Sequence, residues 1–430
     1  MKKIFKNAVI VTQNSKREIF NNGMLIVNED VIEYVGPTKD IDTKCEVIDL
    51  KGNIIIPGFI NNHTHLQAST LKGSIEGLNL EQYLMYNEVV RKNQSVNTKM
   101  LYKQISIEVG IIESLKSGIT TVCSSNCRDI ADKYRIRVYT GPLIMDVARL
   151  QEDYRKVKNN KVDVINKKDF VYPIIFVHSL YRINLDILAN IKKSLEQTRN
   201  CLFMIHIAET KEEIEYIYKL TGKYPVELLD SFGLITESTL LVHCTYIQKF
   251  EAKIIAERGA KIIVCPISNV KLGEEIPNIP MFIEMGIKIS IGTDGLATNG
   301  SFDMLLNARI TFFLVMQKYG YRIKAQSLFD MISIDAADVL GNKKIGGLEK
   351  GKYADFQVWK ANDLCLHPQV NIIDNIVFSC NCKMIQDLYV GGKSVINNNE
   401  DDLKLEKIIQ EYNSVSLDLR NKIEKERCKE

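Results

Sequence analysis

Short, continuous runs of apolar residues alternate with longer helix-compatible segments from Ile60 to about residue 340. The runs are rich in Ile and Val and do not alternate apolar with polar residues, which is typical of parallel strands covered on both faces. Counted from Ile60, the pattern predicts eight strands, each followed by a helix. Eight such units favour an α/β fold of the closed (β/α)8 type, the TIM barrel, over an open sheet.

The two ends of the chain have a different texture. The first fifty-odd residues contain short strand-like runs, including a hairpin in which residues 23–27 and 31–35 flank the turn at 28–30. Similar runs return at 347–359, 372–378 and 384–393. We therefore predict one small β-sandwich domain built from both chain ends, residues 1–56 plus 346–400. Residues 57–345 would form the catalytic barrel, and residues 401–430 a C-terminal helix against the barrel or a partner.

Composition narrows the possible function classes. The 430 residues carry a formal charge of +3 with both signs interspersed, which gives no electrostatic argument for binding nucleic acid or a membrane. No apolar stretch approaches the ~18 residues of a transmembrane helix, and the amino terminus lacks a signal-like apolar segment. Ten cysteines are too sparse for a disulfide scaffold. We expect a cytoplasmic protein that acts on a small molecule.

The segment His63-Thr64-His65 follows the first predicted barrel strand. In an extended strand, residues i and i+2 project to the same side, so both imidazoles can reach one metal ion. Taken alone, the pair is equally consistent with two histidines in a polar loop. The positions of the other histidines decide between these interpretations.

Five of the six histidines lie at or just past the carboxyl end of a predicted strand: His63, His65, His178, His206 and His243. Asp294 follows the eighth strand, whereas His367 lies in the late β region and is expected on the surface. Individually, His178 could be a core histidine and Asp294 a helix cap. Random placement would not mark strand ends and skip the helices, and the carboxyl ends of barrel strands build the active site. The pattern therefore predicts a metal site.

Chemistry divides these residues into ligands and proton carriers. The ligands are three histidines and one aspartate: His63, His65, His206 and Asp294. That donor set suits Zn²⁺, with Fe²⁺ or Mn²⁺ as alternatives. Asp294 can also accept a proton from water, and His243 can bond that water or an oxyanion-like intermediate. Glu209 lies three residues after His206, beside the metal, where a protonated carboxyl can give a proton to a ring nitrogen. It could also be an acid favoured by the helix dipole.

Motifs in a fixed order carry a resemblance to a known family. They are Pro57-Gly58-Phe59-Ile60-Asn61-Asn62-His63-Thr64-His65, His206-x-x-Glu209-Thr210, His243-Cys244, residues 266–273, and Gly292-Thr293-Asp294-Gly295-x-x-Thr298-Asn299. The chain is similar to the amidohydrolase superfamily. Within it, the chain resembles the branch of adenosine-type and S-adenosylhomocysteine/methylthioadenosine deaminases and triazine chlorohydrolases.

The resemblance implies one divalent metal, proton transfer by Glu209 and His243, and a homo-oligomer of two or more subunits. It also implies substrate contacts at His178, Arg137 and Arg149. The family's ribose-gripping Glu aligns near Lys92, with Glu88 the nearest acid, so this chain departs from its relatives there.

The sequence thus predicts a metal-dependent hydrolytic deaminase, a hydrolase of carbon–nitrogen bonds other than peptide bonds. It would remove an exocyclic amine from a purine-like or other N-heteroaromatic small molecule and release ammonia. The alternative is a hydrolase that displaces chloride or an alkylamine from a triazine-like ring. A non-catalytic relative should lack a ligand or a proton carrier, and neither is missing.

Overall fold

The structure is a computed structural model that describes residues 2–41, 44–92, 94–145, 164, 168–397 and 402–428. The strands are β1 Lys2–Val11, β2 Ile19–Asn28, β3 Val31–Pro37, β4 Glu46–Asp49, β5 Ile54–Pro57, β6 Phe59–Asn61, β7 Ile119–Cys123, β8 Arg137–Thr140, β9 Leu143–Ile144, β10 Val171–Val177, β11 Leu202–Ile207, β12 Thr239–His243, β13 Lys261–Val264, β14 Ile289–Ile291, β15 Phe356–Trp359, β16 Ile385–Val390 and β17 Lys393–Asn397. The helices are α1 Leu80–Lys92, α2 Val96–Lys116, α3 Ile130–Tyr134, α4 Ile187–Gln197, α5 Lys211–Thr221, α6 Pro225–Ser231, α7 Lys249–Arg258, α8 Pro266–Lys271, α9 Ile279–Glu284, α10 Leu296–Asn299, α11 Met304–Tyr319, α12 Ala325–Asp330, α13 Ile334–Val339, α14 Ile372–Phe378 and α15 Asp402–Arg427.

A parallel sheet in the order β14-β13-β12-β11-β10-β8-β7-β6 forms the barrel, with β9 beside β10. The first and last strands meet where the backbone N–H groups of Thr293 and Asp294 donate to the carbonyl of His63, at 3.1 and 3.0 Å. These bonds draw the sheet round into a nearly closed ring. The predicted (β/α)8 barrel is confirmed.

Alternation along β11 shows how the sequence sorts side chains between the two faces of the barrel wall. Phe203 and Ile205 join the apolar layer between the strands and the outer helices, whereas Met204 belongs to the cluster inside the barrel. Because strand side chains alternate with period two, His206 faces inward like Met204. The strand therefore delivers an imidazole to the interior at its carboxyl end.

The second sheet takes strands from both ends of the chain, in the order β17-β16-β15-β5-β1-β2-β3, with β4 paired to β1. The hairpin of β2 and β3 is present as predicted. The small β domain from both chain ends is thus confirmed as part of the fold. The exact domain limits at 56, 345 and 400 remain predictions.

One late segment is a helix rather than the strand-like run that the sequence suggested. In α14, the side chain of Asn371 accepts hydrogen bonds from the N–H groups of Ile373 and Asp374, which caps the helix. Ile373, Ile376 and Val377 are buried at the i, i+3, i+4 spacing of one helical face. The strand prediction for residues 372–378 is wrong because the cap and the helical stripe outweigh the β-branched content.

The C-terminal helix α15 packs beside α1 and α2. Its residues Val415, Leu419 and Ile423 share an apolar cluster with Tyr83 and Tyr86 of α1. Thus α15 supports the segment that follows the His63-Thr64-His65 motif. No helix in the described part of the chain is long and apolar enough to cross a membrane.

Candidate active site

Four predicted ligands converge at the carboxyl ends of three barrel strands. His63 and His65 follow β6, His206 lies in β11, and Asp294 follows β14. Nε2 of His206 lies 3.1 Å from Nε2 of His63 and 3.3 Å from Nε2 of His65. Oδ1 of Asp294 lies 3.5 Å from Nε2 of His63 and 3.2 Å from Nε2 of His65. The barrel thus gathers residues from opposite ends of its sequence around one point.

The ligand nitrogens of His63, His65 and His206 all lie within 4.8 Å of one another, which fits a single metal ion, and Oδ1 of Asp294 lies beside two of them. Donors about 2.1 Å from a metal in a tetrahedral arrangement are roughly 3.4 Å from one another. Oδ1 of Asp294 is buried and accepts no hydrogen bond from the described residues. Burial lowers the pKa of His63 to about 4 and also lowers the pKa of His206. Neutral imidazoles beside an unsatisfied carboxylate oxygen are what a divalent cation requires.

Asp294 is held in place by hydroxyl groups. Its Oδ2 accepts from Oγ of Ser268 at 2.6 Å and from Oγ1 of Thr298 at 2.8 Å. Oγ1 of Thr64 donates to its backbone carbonyl at 2.9 Å. Asp294 also adopts a left-handed conformation, with φ of 58°, which is uncommon for a non-glycine residue. These contacts direct Oδ1 towards the histidines.

Glu209 and His243 lie next to each other beside this group. Burial, followed by the charge of Asp294, raises the pKa of Glu209 well above its usual value. Nε2 of His243 lies 3.5 Å from Oε1 of Glu209. Burial therefore favours the protonated form of Glu209, whose carboxyl group lies within reach of a neighbouring imidazole.

Asn269 sets the tautomer of His243. Oδ1 of Asn269 lies 3.0 Å from Nδ1 of His243, and the Nδ2 of Asn269 donates to the carbonyl of Glu275. This second bond fixes the amide orientation, so Nδ1 of His243 must be the donor. Burial lowers the pKa of His243, and the neutral ring then presents an unprotonated Nε2 towards Glu209.

The turn that carries Glu209 is fixed by Glu213. Oε2 of Glu213 accepts from the backbone N–H of Glu209 at 3.0 Å, while the N–H of Glu213 donates to Thr210. This arrangement is an N-terminal capping pattern that locks the start of α5. The backbone at Glu209 is therefore held by the start of α5.

A cavity of about 350 Å³ opens from this group to the surface. His178 lies on its wall, with its ring centroid 4.9 Å from that of His206. Burial lowers the pKa of His178 to about 3, so its ring is neutral and acts as a hydrogen-bonding group. The outer wall includes Tyr83, Glu88 and Arg182. The volume suits a small-molecule ligand.

The amidohydrolase family model matches residues 54–395 of this sequence, most of the chain. The chain belongs to the amidohydrolase family. It is 28% identical over 417 residues to a 5-methylthioadenosine/S-adenosylhomocysteine deaminase of Bacillus cytotoxicus, covering 93% of this chain and 95% of the relative. A Bacillus cereus protein of the same name is 29% identical over 418 residues, with the same coverage.

Solved structures share the fold of this amidohydrolase. An adenosine deaminase from Xanthomonas campestris with bound zinc superposes with a TM-score of 0.86 at 20% identity, covering 97% of this chain and 98% of that one. A triazine hydrolase from Arthrobacter aurescens gives 0.85 at 17% identity, covering 96% and 99%. Escherichia coli guanine deaminase gives 0.79 at 21% identity, covering 92% and 100%.

Arg137 does not reach the site of this amidohydrolase. It opens β8, so it lies at the amino end of the strand, opposite the rim that carries the histidines. Its guanidinium donates to the carboxylate of Asp355 at 2.6 and 3.0 Å and lies 3.8 Å from the ring centre of Tyr353. This placement corrects the predicted substrate contact, because strand direction separates Arg137 from the cavity. Arg149 lies outside the described residues.

Four residues that line or support the site were given no role in the sequence analysis. Ser268, Asn269 and Thr298 all lie within the quoted motifs. The motifs marked these residues, but they did not show that the side chains contact Asp294 and His243. Arg182 lies four residues after His178, just past the end of β10. A cationic residue so close in sequence to a histidine at a strand end could have indicated that Arg182 lines the site.

Proposed function

We propose that this amidohydrolase is a metal-dependent deaminase that removes an exocyclic amine from a purine-like or other N-heteroaromatic small molecule. The observation that carries the proposal is a buried Glu209, whose pKa is raised by burial, beside the predicted metal ligands at one cavity. Amide-cleaving chemistry offers no ring nitrogen for such an acid to protonate. The curated relatives are named as deaminases of adenine nucleosides, which supports the same reaction class.

His63, His65, His206 and Asp294 would hold the ion, which we propose to be Zn²⁺ because three imidazoles and one carboxylate suit it. When bound, such an ion activates water for attack. Fe²⁺ and Mn²⁺ remain the alternatives. Metal analysis of the protein purified without added metal tests this assignment.

The residues of the chain divide the proton transfers between them. Glu209 donates its proton to the ring nitrogen next to the amine-bearing carbon. Asp294 accepts one proton from the attacking water and returns it to the amine, whose bond to carbon then breaks, while the remaining hydroxyl proton passes back to Glu209. His243 faces Glu209 through Nε2 and, with His178, orients the substrate. Water and the amine thus become a ring carbonyl and ammonia.

Displacement of chloride or an alkylamine from a triazine-like ring is the second candidate. The site would use the same ligands, and a triazine hydrolase shares the fold. The two reactions differ in their leaving group, so one measurement separates them. The cytoplasmic location and the homo-oligomer stay predictions.

Ammonia release from a panel of substrates tests the proposed function. The panel should contain 5-methylthioadenosine, S-adenosylhomocysteine, adenosine, guanine, pterins and aminotriazines, with a chlorotriazine as the competing substrate. We expect ammonia from at least one aminated ring and no chloride release. Ammonia from none of them in metal-replete protein, or chloride release alone, would contradict the proposal.

A further inference from the structure

The C-terminal helix α15 lies against the segments that form the outer wall of the active-site cavity. It packs on α1, on α2 and on the 3-10 segment Leu66–Leu71, which directly follows the predicted ligand His65. Val415, Leu419 and Ile423 of α15 share one apolar cluster with side chains of those segments. The helix is therefore one layer behind the surface that a substrate would meet.

Members of this apolar cluster also form part of the cavity surface. Ala68, Leu80 and Tyr83 belong to the cluster and line the active-site cavity. Because the side chains of an apolar cluster are close-packed, a change in the volume of one member shifts its neighbours. The side chains that α15 contributes to the cluster therefore influence the shape of the cavity.

A smaller cavity of about 130 Å³ lies directly behind the outer wall, and Leu419 of α15 lines it. Three residues line both this cavity and the active-site cavity: Gln67, Asn87 and Lys99. These side chains separate Leu419 from the space that is open to a substrate. Because the small cavity leaves room behind them, the volume of Leu419 limits how far they can move away from a substrate.

Hydrogen bonds fix the position of α15 along the wall. Oη of Tyr412 donates to the backbone carbonyl of Ser69, within Leu66–Leu71, at 2.9 Å. Oη of Tyr102 in α2 donates to Oδ2 of Asp418 at 2.7 Å. Since hydrogen bonds are directional, these two contacts oppose sliding and rotation of the helix.

We propose that α15 is a specificity-determining element, in which Leu419 and Tyr412 are positioning residues that set the size of the outer part of the cavity. The inference rests on the proposed function for the reaction by which it is measured. The predicted ligands and Glu209 lie in or just after barrel strands, whereas α15 packs on connecting segments. Changes in α15 should therefore alter which substituents fit beyond the reacting ring and leave the chemical step intact.

The test compares 5-methylthioadenosine with S-adenosylhomocysteine, which share the ring but differ in the bulk of the substituent beyond it. Leu419→Ala removes volume behind the wall, so the wall can move away from a small substituent. We expect KM for 5-methylthioadenosine to rise about fourfold, the effect of losing the burial of one methylene group, with kcat nearly unchanged. KM for S-adenosylhomocysteine should rise less, because its larger substituent fills a wider cavity. Leu419→Met keeps the volume and should behave as wild type.

Two control variants separate positioning from loss of stability. Leu417→Ala makes the same substitution in α15 at a side chain that is 58% exposed. Leu229→Ala makes it at a fully buried side chain of α6, in the main apolar core. Both should leave KM unchanged at a temperature where the variants are folded. A similar rise of KM in Leu229→Ala, or equal effects of Leu419→Ala on the two substrates, would overturn the inference.

Tyr412→Phe tests the polar contact between α15 and the wall. The variant keeps the ring and loses the hydrogen bond to Ser69, so the backbone amides of Leu66–Leu71 should exchange their hydrogens faster than in the wild type. KM for 5-methylthioadenosine should shift in the same direction as in Leu419→Ala, by a smaller factor. Unchanged exchange together with unchanged KM would overturn the role of Tyr412.

Calorimetric binding of the two deaminated products, the inosine counterparts of these substrates, makes the same comparison without turnover. Weaker binding of the smaller product in Leu419→Ala, with less change for the larger one, supports the inference even if neither substrate releases ammonia. In that case the proposed function fails and the role of α15 stands. Unchanged relative binding in Leu419→Ala, or no binding of either product by the wild type, would overturn the inference.

Discussion

The inner metal site and the outer wall of the same cavity are built in different ways. In the inner site, the predicted ligands lie in or just after barrel strands. Two hydroxyl groups fix the carboxylate of Asp294, and the carbonyl of His63 fixes its backbone. On the outer wall, Glu88 and Arg182 lie on α1 and a short 3-10 segment, and their side chains meet at 3.8 Å. The barrel strands therefore position the predicted metal ligands, whereas the connecting segments supply the side chains of the outer wall.

Removing the carboxylate of the inner site should have the largest effect on turnover. Asp294→Asn keeps the shape but loses a ligand charge and the proton acceptor, so we expect kcat to fall at least about 10³-fold. Ammonia release and metal content check this. Asp186→Asn, an exposed aspartate without a side-chain cap bond, should behave as wild type. If Asp294→Asn retained turnover, the reaction would not depend on the carboxylate of the inner site, and the contrast with the outer wall would fail.

Substitution of Glu209, the proposed acid, should have the second largest effect on turnover. Because burial raises the pKa of Glu209, the protonated, active form persists below that pKa and is lost as pH rises through it. We expect kcat/KM to fall on the alkaline side, and Glu209→Gln to lower kcat by about 10²- to 10³-fold and abolish that pH limb. The exposed Glu215→Gln serves as the control. An unchanged pH profile in Glu209→Gln would show that another group donates the proton.

A moderate effect should follow from loss of one hydroxyl behind the metal site. Thr298→Val removes a hydrogen bond to Oδ2 of Asp294 and should weaken metal affinity about 10- to 100-fold. Thr298→Ser keeps the hydroxyl and should bind metal nearly as well as wild type. Titration with a competing chelator measures both. Equal affinity in the two variants would mean that Ser268 alone orients the carboxylate.

The smallest effect on turnover should come from Arg137, the cation at the far end of the barrel. Arg137→Gln leaves Asp355 buried without its partner, so the free energy of unfolding should fall by about 3–5 kcal/mol. At a temperature where the variant is folded, KM should not change. Urea unfolding and steady-state kinetics measure the two quantities. A higher KM with unchanged stability would restore Arg137 as a substrate contact.

The residues at strand ends were predictable because two observations agree: their side chains can bind metal, and each follows a predicted barrel strand. His63, His65, His206 and Asp294 follow Ile- and Val-rich runs, and parallel strands must present their carboxyl ends on one rim. Arg137 is instead the first residue of its strand, at the opposite end of the barrel. The predicted substrate contact followed the family resemblance and did not take the direction of the strand into account. The segment 372–378 shows a second limit, since its apolar run fits a strand or a helix until the cap at Asn371 is considered.

Contacts made by side chains on connecting segments were beyond this kind of reasoning. The approach of Arg182 to Glu88 joins the end of β10 to α1, and no periodicity in either segment encodes that distance. Asn269 determines the tautomer of His243 through an amide orientation that only three-dimensional packing defines. The sequence therefore predicted which residues come together at the rim of the barrel better than which residues position them.

The junction between β6 and β14 has a consequence for how the protein folds. Thr64 and Asp294 are joined by a hydrogen bond across a sequence separation of 230 residues. The predicted metal ligands therefore cannot come together until nearly the whole barrel has folded. Pairing at such long range is slow to form because its loop-closure entropy is spent before the contact is made. An ion that binds only the finished ring stabilises it by mass action. We expect a bound metal ion to stabilise the junction between the first and last strands of the barrel once the whole chain has been synthesised.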